Sequence, residues 1–128
     1  MKFLLDTHTF LWLDSDPAQL SATAAATLAD PNNIPLLSYA SVWEIQIKVQ
    51  IGKLQLTTPL TTYIQAQQQT NQLMLLPIEL RHIFALDRLP LHHRDPFDRL
   101  LIAQSLSEGI PILSRDSMFS RYPLKVIW

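Results

Sequence analysis

Four acidic residues carry the chemistry that this chain can do: Asp6, Glu44, Asp98 and Asp116. Each falls where an apolar run ends or where a helix begins after one. They are far apart in sequence, yet an alternating α/β chain brings such positions to one edge of a sheet. Carboxylates gathered without cationic partners repel one another, so a fold that collects them needs a divalent cation or shared protons. Oxygen-only ligands favour Mg²⁺ or Mn²⁺ over zinc. The chemistry this implies is metal-assisted phosphodiester cleavage.

Each acid also has a plain structural explanation. Asp6 can cap a helix starting near Thr9. Glu44 stands four residues before Lys48, the spacing of a helical ion pair, although its neighbours Val42, Trp43, Ile45 and Ile47 are apolar. Asp98 suits the first turn of a helix through the dipole alone. Asp116 can cap a short turn carrying Met118 and Phe119. What separates these four from Asp14, Asp16, Asp30, Asp87 and Glu108 is that all four map to the same sheet edge. The histidines do not alter the ligand set: His8 is near Asp6, whereas His82, His92 and His93 lack helical metal-ligand spacing to an acid. His92-His93 reads as a loop pair.

The elements that must position the acids follow from local pattern. Phe3-Leu4-Leu5 is a buried first strand ending at Asp6, with Thr7-His8-Thr9 as a turn into a helix that Asp14-Ser15-Asp16-Pro17 breaks. Ala22 to Ala29 is a helix by propensity. Ile34 to Leu37 is the second strand, and Ala40 to Ile51 a helix with Val42, Ile45 and Val49 on one stripe and Gly52 as its stop. Leu60, Tyr63 and Ile64 mark the apolar face of a helix from Thr57-Pro59 to about Gln72. Leu73 to Ile78 is the third strand, interrupted at Pro77, and Glu79 to Leu86 a short helix. Asp95-Pro96-Phe97-Asp98 is a strong helix start, with Asp95 as N-cap and proline in the first position; the helix stops at Gly109. Ile112-Leu113 is the fourth strand, and Leu124 to Ile127 the last. The alternation predicts an α/β fold with a mostly parallel sheet covered by helices on both faces.

Bulk properties narrow the class. The 128 residues make one domain, 1–128, with one core. No apolar run approaches the roughly 18 to 20 residues needed to span a bilayer, and the opening Met1-Lys2-Phe3-Leu4-Leu5-Asp6 lacks the long apolar segment of a signal peptide, so a cytoplasmic protein is expected. With no cysteine, disulfides, thiolate zinc sites and cysteine nucleophiles are excluded. A net charge of −1 excludes a broad basic surface. The basic residues are uneven, with three in residues 1–80 and seven in residues 81–128. Arg88, Arg94, Arg99, Arg115, Arg121 and Lys125 are consistent either with one local groove or with ordinary solvated side chains.

In the order Leu4-Leu5-Asp6-Thr7-His8, Ser41-Val42-Trp43-Glu44-Ile45 with Lys48, Asp95-Pro96-Phe97-Asp98-Arg99-Leu100-Leu101-Ile102-Ala103-Gln104 and Ser114-Arg115-Asp116, the whole chain resembles PIN-domain proteins. More narrowly, it resembles the VapC-type ribonuclease toxins of toxin–antitoxin pairs. The resemblance implies a five-stranded parallel sheet in an α/β/α sandwich, and an acidic cluster of Asp6, Glu44, Asp98 and Asp116 holding Mg²⁺ or Mn²⁺ for RNA cleavage. Asp95 does not match the family's acids. Ser114 stands where the family often has threonine, and Thr7 and Ser114 become candidate donors that orient carboxylates or water. Arg94, Arg99 and Arg115 are candidate phosphate holders. A homodimer and a small antitoxin that masks the acids are the implied partners, alongside the RNA substrate. The alternatives are a catalytically silent PIN-like binding module, or a nuclease that processes RNA outside toxin–antitoxin pairs. A haloacid-dehalogenase-type phosphotransferase needs an aspartate at position 8, which is His8, and a phosphoacceptor receiver lacks its late lysine.

Overall fold

In a computed structural model that describes all 128 residues, Met1–Trp128, the chain builds five strands and six helices. The strands are β1 (Lys2–Leu5), β2 (Ile34–Ser38), β3 (Met74–Leu76), β4 (Ile112–Leu113) and β5 (Val126–Ile127). The helices are α1 (Thr7–Ser15), α2 (Ala22–Ala29), α3 (Tyr39–Gln50), α4 (Leu60–Asn71), α5 (Leu80–Ala85) and α6 (Pro96–Glu108).

The sheet order is β3-β2-β1-β4-β5 and every pairing is parallel, in register Leu4 with Leu36 and Leu5 with Leu113. From β1 the chain steps outward through β2 to β3, then crosses back to β4 on the other flank. The switch point therefore lies between β1 and β4, where an open α/β sheet forms its crevice.

Side chains alternate across the strands, which divides the core into two layers. Phe3, Leu5, Leu37, Leu113 and Ile127 face one side and meet Phe10 of α1, Ala24 of α2, Ile45 of α3 and Ile64 of α4. Leu4, Leu36, Leu76 and Ile112 face the other and meet Leu101 and Ile102 of α6, with Phe119 and Tyr122. Helix α5 is tied to α6 through His82, whose Nε2 lies 3.0 Å from Glu108 Oε1. The architecture is the α/β/α sandwich, and its sheet is wholly parallel where a mostly parallel one was expected.

Local chemistry sets the helix ends. Ser21 Oγ accepts from Ala24 N–H at 3.0 Å, and Asp95 Oδ1 from Asp98 N–H at 3.0 Å. Gly109 ends α6 at φ 67°, in the left-handed region that favours glycine. Several boundaries differ from expectation, and three of them bear on how strands start and end. Helix α1 begins at Thr7 rather than near Thr9, because Phe10 N–H already bonds to Asp6 O at 3.0 Å; the strand passes into the helix without a turn. Strand β3 keeps only Met74–Leu76, since Pro77 has no N–H to extend the ladder. Strand β5 keeps only Val126–Ile127 of the expected run from Leu124.

Leu4 is fully buried on the central strand. Leu4→Ala is expected to cost about 2–5 kcal/mol, read as a lower urea midpoint with an unchanged m-value.

Candidate metal centre

Four different elements carry the acids to the β1/β4 switch point. Asp6 is the residue between β1 and α1, Asp116 follows β4, Glu44 lies on α3, and Asp98 sits in the first turn of α6. A cleft of about 260 Å³ opens beside them, lined by Asp6, His8, Trp12, Arg115 and Asp116.

Asp6 does not cap α1 with its side chain. Its Oδ2 instead accepts from Ser114 Oγ at 2.7 Å, and Ser114 Oγ in turn accepts from the Asp116 N–H at 3.0 Å. One hydroxyl thus ties together the two acids at the ends of neighbouring strands. Asp6 is 6% exposed, and burial raises its pKa; the Ser114 hydrogen bond, the His8 charge and the Thr7 backbone oppose this, while Asp116 adds to it.

Glu44 is also buried, and its two oxygens have different surroundings. Oε2 pairs with Lys48 Nζ at 3.2 Å, so the plain helical ion pair exists. Oε1 is withdrawn from solvent with no hydrogen-bond partner. A buried carboxylate oxygen left bare is costly unless something positive reaches it.

Asp98 experiences the sum of the crowding. Burial pushes its pKa up first, then repulsion from Asp6, Asp95, Glu44 and Asp116, to about 8. A carboxyl group pushed up by burial first and by neighbouring carboxylates next marks a site short of positive charge. Hard oxygen donors in an acidic cluster, with one of them bare and buried, suit a divalent cation.

The remaining expected residues are placed unevenly. Thr7 does not reach a carboxylate through its side chain: its Oγ1 donates to Ser41 Oγ on α3 at 2.8 Å, which joins α1 to α3 beneath the acids. Arg99 does not face the cleft either. Its guanidinium donates to the carbonyls of Leu86, Leu89, Pro90 and His93 at 3.0–3.4 Å, which spends its donors on the preceding loop. Arg115 lines the cleft, 4.6 Å over the Trp12 ring and bonded to Gln19 Oε1 at 3.0 Å. Arg94 is exposed. Asp95 caps α6, and Asp116 caps the turn at Ser117–Arg121 through Oδ1, which accepts from Met118 N–H at 2.9 Å, leaving Oδ2 toward the site.

His93 lies in the loop before α6, as its reading as half of a loop pair expects, and its ring joins this cluster. Its Nε2 lies 3.0 Å from Asp98 Oδ2 and 3.1 Å from Asp116 Oδ2. One ligand atom from each of the three residues falls within 4.8 Å of the others. No helical spacing relates His93 to either acid; a chain reversal before α6 brings it in, so periodicity gives no sign of it. The one local signal is its place two residues before the Asp95 cap of the helix that carries Asp98.

Comparison with known proteins supplies a family. The PIN-domain family model matches residues 3–125. No curated protein matches significantly. Solved structures of similar fold include VapBC2 from Rickettsia felis bound to a promoter DNA fragment, with TM-score 0.74 and 15% identity over 98% of this chain and 97% of that one. VapBC-1 from nontypeable Haemophilus influenzae gives TM-score 0.68 and 16% identity over 98% and 96%. VapBC-5 from Mycobacterium tuberculosis, a member of the VapBC family of toxin–antitoxin systems, gives 0.59 and 17% over 98% and 94%. At these identities the likeness is one of fold.

The electrostatics have a consequence for stability. The folded chain holds the Asp98 proton more tightly than the unfolded chain, whose value is near 3.8. Stabilisation from this group is therefore complete below that value and is lost as pH rises through about 8. Asp98→Asn is expected to raise the melting temperature of the metal-free protein, by roughly 4 °C or more at about pH 9 and by less at about pH 7. Thermal melts of both proteins in EDTA measure the difference; an equal melting temperature at the higher pH contradicts the charge-crowding account.

Proposed function

The chain belongs to the PIN-domain family, and from that membership we propose that it is a metal-dependent endoribonuclease, the toxin of a toxin–antitoxin pair. One observation carries the reading. Asp6, Glu44, Asp98 and Asp116 reach one switch point from four elements, with a bare buried oxygen on Glu44 and a carboxyl on Asp98 whose pKa burial and its acidic neighbours push up. That arrangement is unfavourable for a protein with no use for a cation. The VapBC complexes among the similar folds support the toxin assignment.

Asp6, Glu44, Asp98 and Asp116 would hold Mg²⁺ or Mn²⁺, which would supply the positive charge that acidifies a water and offsets the negative charge of the phosphate. Ser114 donates to the Asp6 carboxylate and accepts from the Asp116 backbone N–H, which keeps the two residues in register before substrate arrives. Water adds to phosphorus as the ester P–O bond breaks; a carboxylate of the cluster takes the water's proton, and the departing oxygen takes a proton from solvent. Arg115 at the cleft and the exposed Arg94 are the side chains available to hold flanking phosphates, by the bidentate geometry that guanidinium offers. Arg99 has a structural role.

A small antitoxin that inserts a basic side chain among the acids would satisfy the same shortage of charge, and so would block the site. A homodimer completes the proposed assembly. No helix is long and apolar enough to cross a membrane, which agrees with the proposal that the protein works in the cytoplasm.

The test is incubation of purified protein with RNA in Mg²⁺, Mn²⁺ or EDTA, beside Asp6→Asn and Asp98→Asn. Cleavage is expected with either cation, to vanish in EDTA, and to fall at least about 100-fold in each variant. Cleavage that persists in EDTA or in both variants overturns the metal-nuclease reading. Failure to cut any RNA favours the silent binding module.

A further inference from the structure

The four acids account for the cation but leave His93 without a task. Its ring is held from several directions. The backbone N–H of His93 donates to Tyr122 Oη at 2.8 Å, its carbonyl accepts from Arg99 at 3.3 Å, and the ring packs 5.7 Å from that of Phe119. Nδ1 accepts from the Asp95 N–H at 3.3 Å. With Nδ1 facing a donor, Nε2 is the ring nitrogen that carries the N–H turned toward the acids. Nε2–H then points between Asp98 Oδ2 and Asp116 Oδ2, at 3.0 and 3.1 Å.

This is the opposite polarity from a metal-ligating histidine, which donates its second ring N–H to an acceptor while the other nitrogen binds the ion. We propose that His93 is a positioning residue, whose Nε2–H bridges Asp98 and Asp116 and preassembles the cation site. The inference rests on the metal-nuclease reading and adds how two acids that repel each other are kept at one place. Asp98 comes from α6 and Asp116 from the end of β4, so no covalent proximity joins them. Ser114 ties Asp116 to Asp6, but Asp98 has no such hydroxyl. The imidazole provides the missing link. Each carboxylate oxygen has two lone pairs, so accepting from Nε2–H leaves room for a cation at the same oxygen.

Mn²⁺ binding to the intact chain tests this by calorimetry and pulsed electron paramagnetic resonance. His93→Phe keeps a ring but has no donor; His93→Gln puts an amide N–H near the place of Nε2–H. The expected result is a Kd for Mn²⁺ raised about 10–100-fold in His93→Phe and largely restored in His93→Gln, with circular dichroism unchanged in both. Restoration by the amide separates donation from mere packing. The resonance spectrum of the native protein is expected to lack the nitrogen coupling of a directly bound imidazole. Either that coupling, or a Kd in His93→Phe within about twofold of the native value, overturns the assignment. If the native chain itself binds no Mn²⁺, the nuclease reading falls and takes this inference with it; native binding with an unaffected His93→Phe removes the His93 role alone.

Discussion

Mutual repulsion among buried carboxylates is the constraint around which this structure is arranged. Charges of one sign in a site that excludes water cost more than they do on a surface, because less solvent is present to screen them. At the β1/β4 switch point the chain nonetheless collects Asp6, Glu44, Asp98 and Asp116. It offsets the cost locally: Lys48 takes one oxygen of Glu44, Ser114 donates to Asp6, and His93 lies against Asp98 and Asp116. The offsets are incomplete, as the bare Glu44 Oε1 and the raised pKa of Asp98 show. The deficit has the sign that a divalent cation corrects.

The rest of the fold serves to hold these groups rigidly while they repel. Two apolar layers grip the short central strands, so the carboxyl ends of β1 and β4 have little freedom to separate. Thr7 and Ser41 bond α1 to α3 below the acids. Arg99 gathers the loop before α6 by four carbonyl contacts, and Tyr122 holds the same loop from the other side, accepting from His93 N–H and donating to Pro90 O. The Arg99 case is instructive, because the residue next to Asp98 in sequence is a scaffold for the site. Its charge is directed to carbonyls rather than to a ligand.

Much of this was legible before any coordinates. Strand and helix order, the N-cap at Asp95, the glycine stop at Gly109 and the parallel sheet all follow from local rules, since capping, propensity and side-chain period act over a few residues. The four acids were legible too, because strand ends in a parallel α/β sheet share an edge. Where local reading failed, a long-range partner had intervened. Thr7, a candidate donor to carboxylates or water, turns its hydroxyl to Ser41, 34 residues away, while its backbone serves Asp6. His93 was set aside for lack of helical spacing, yet Asp116, 23 residues on, completes its contacts.

Residue type and order therefore determined the class of fold and the sheet edge to which Asp6, Glu44, Asp98 and Asp116 are carried, because these depend on periodicity and on where strands end. Tertiary structure decided which oxygen of each carboxylate is free, which arginine is spent on the scaffold, and that an imidazole stands between Asp98 and Asp116. Those outcomes depend on angles and distances between segments that meet only when the sheet closes. A side chain's neighbours across such a gap are set by packing of the whole core, and no local stretch of sequence carries that information.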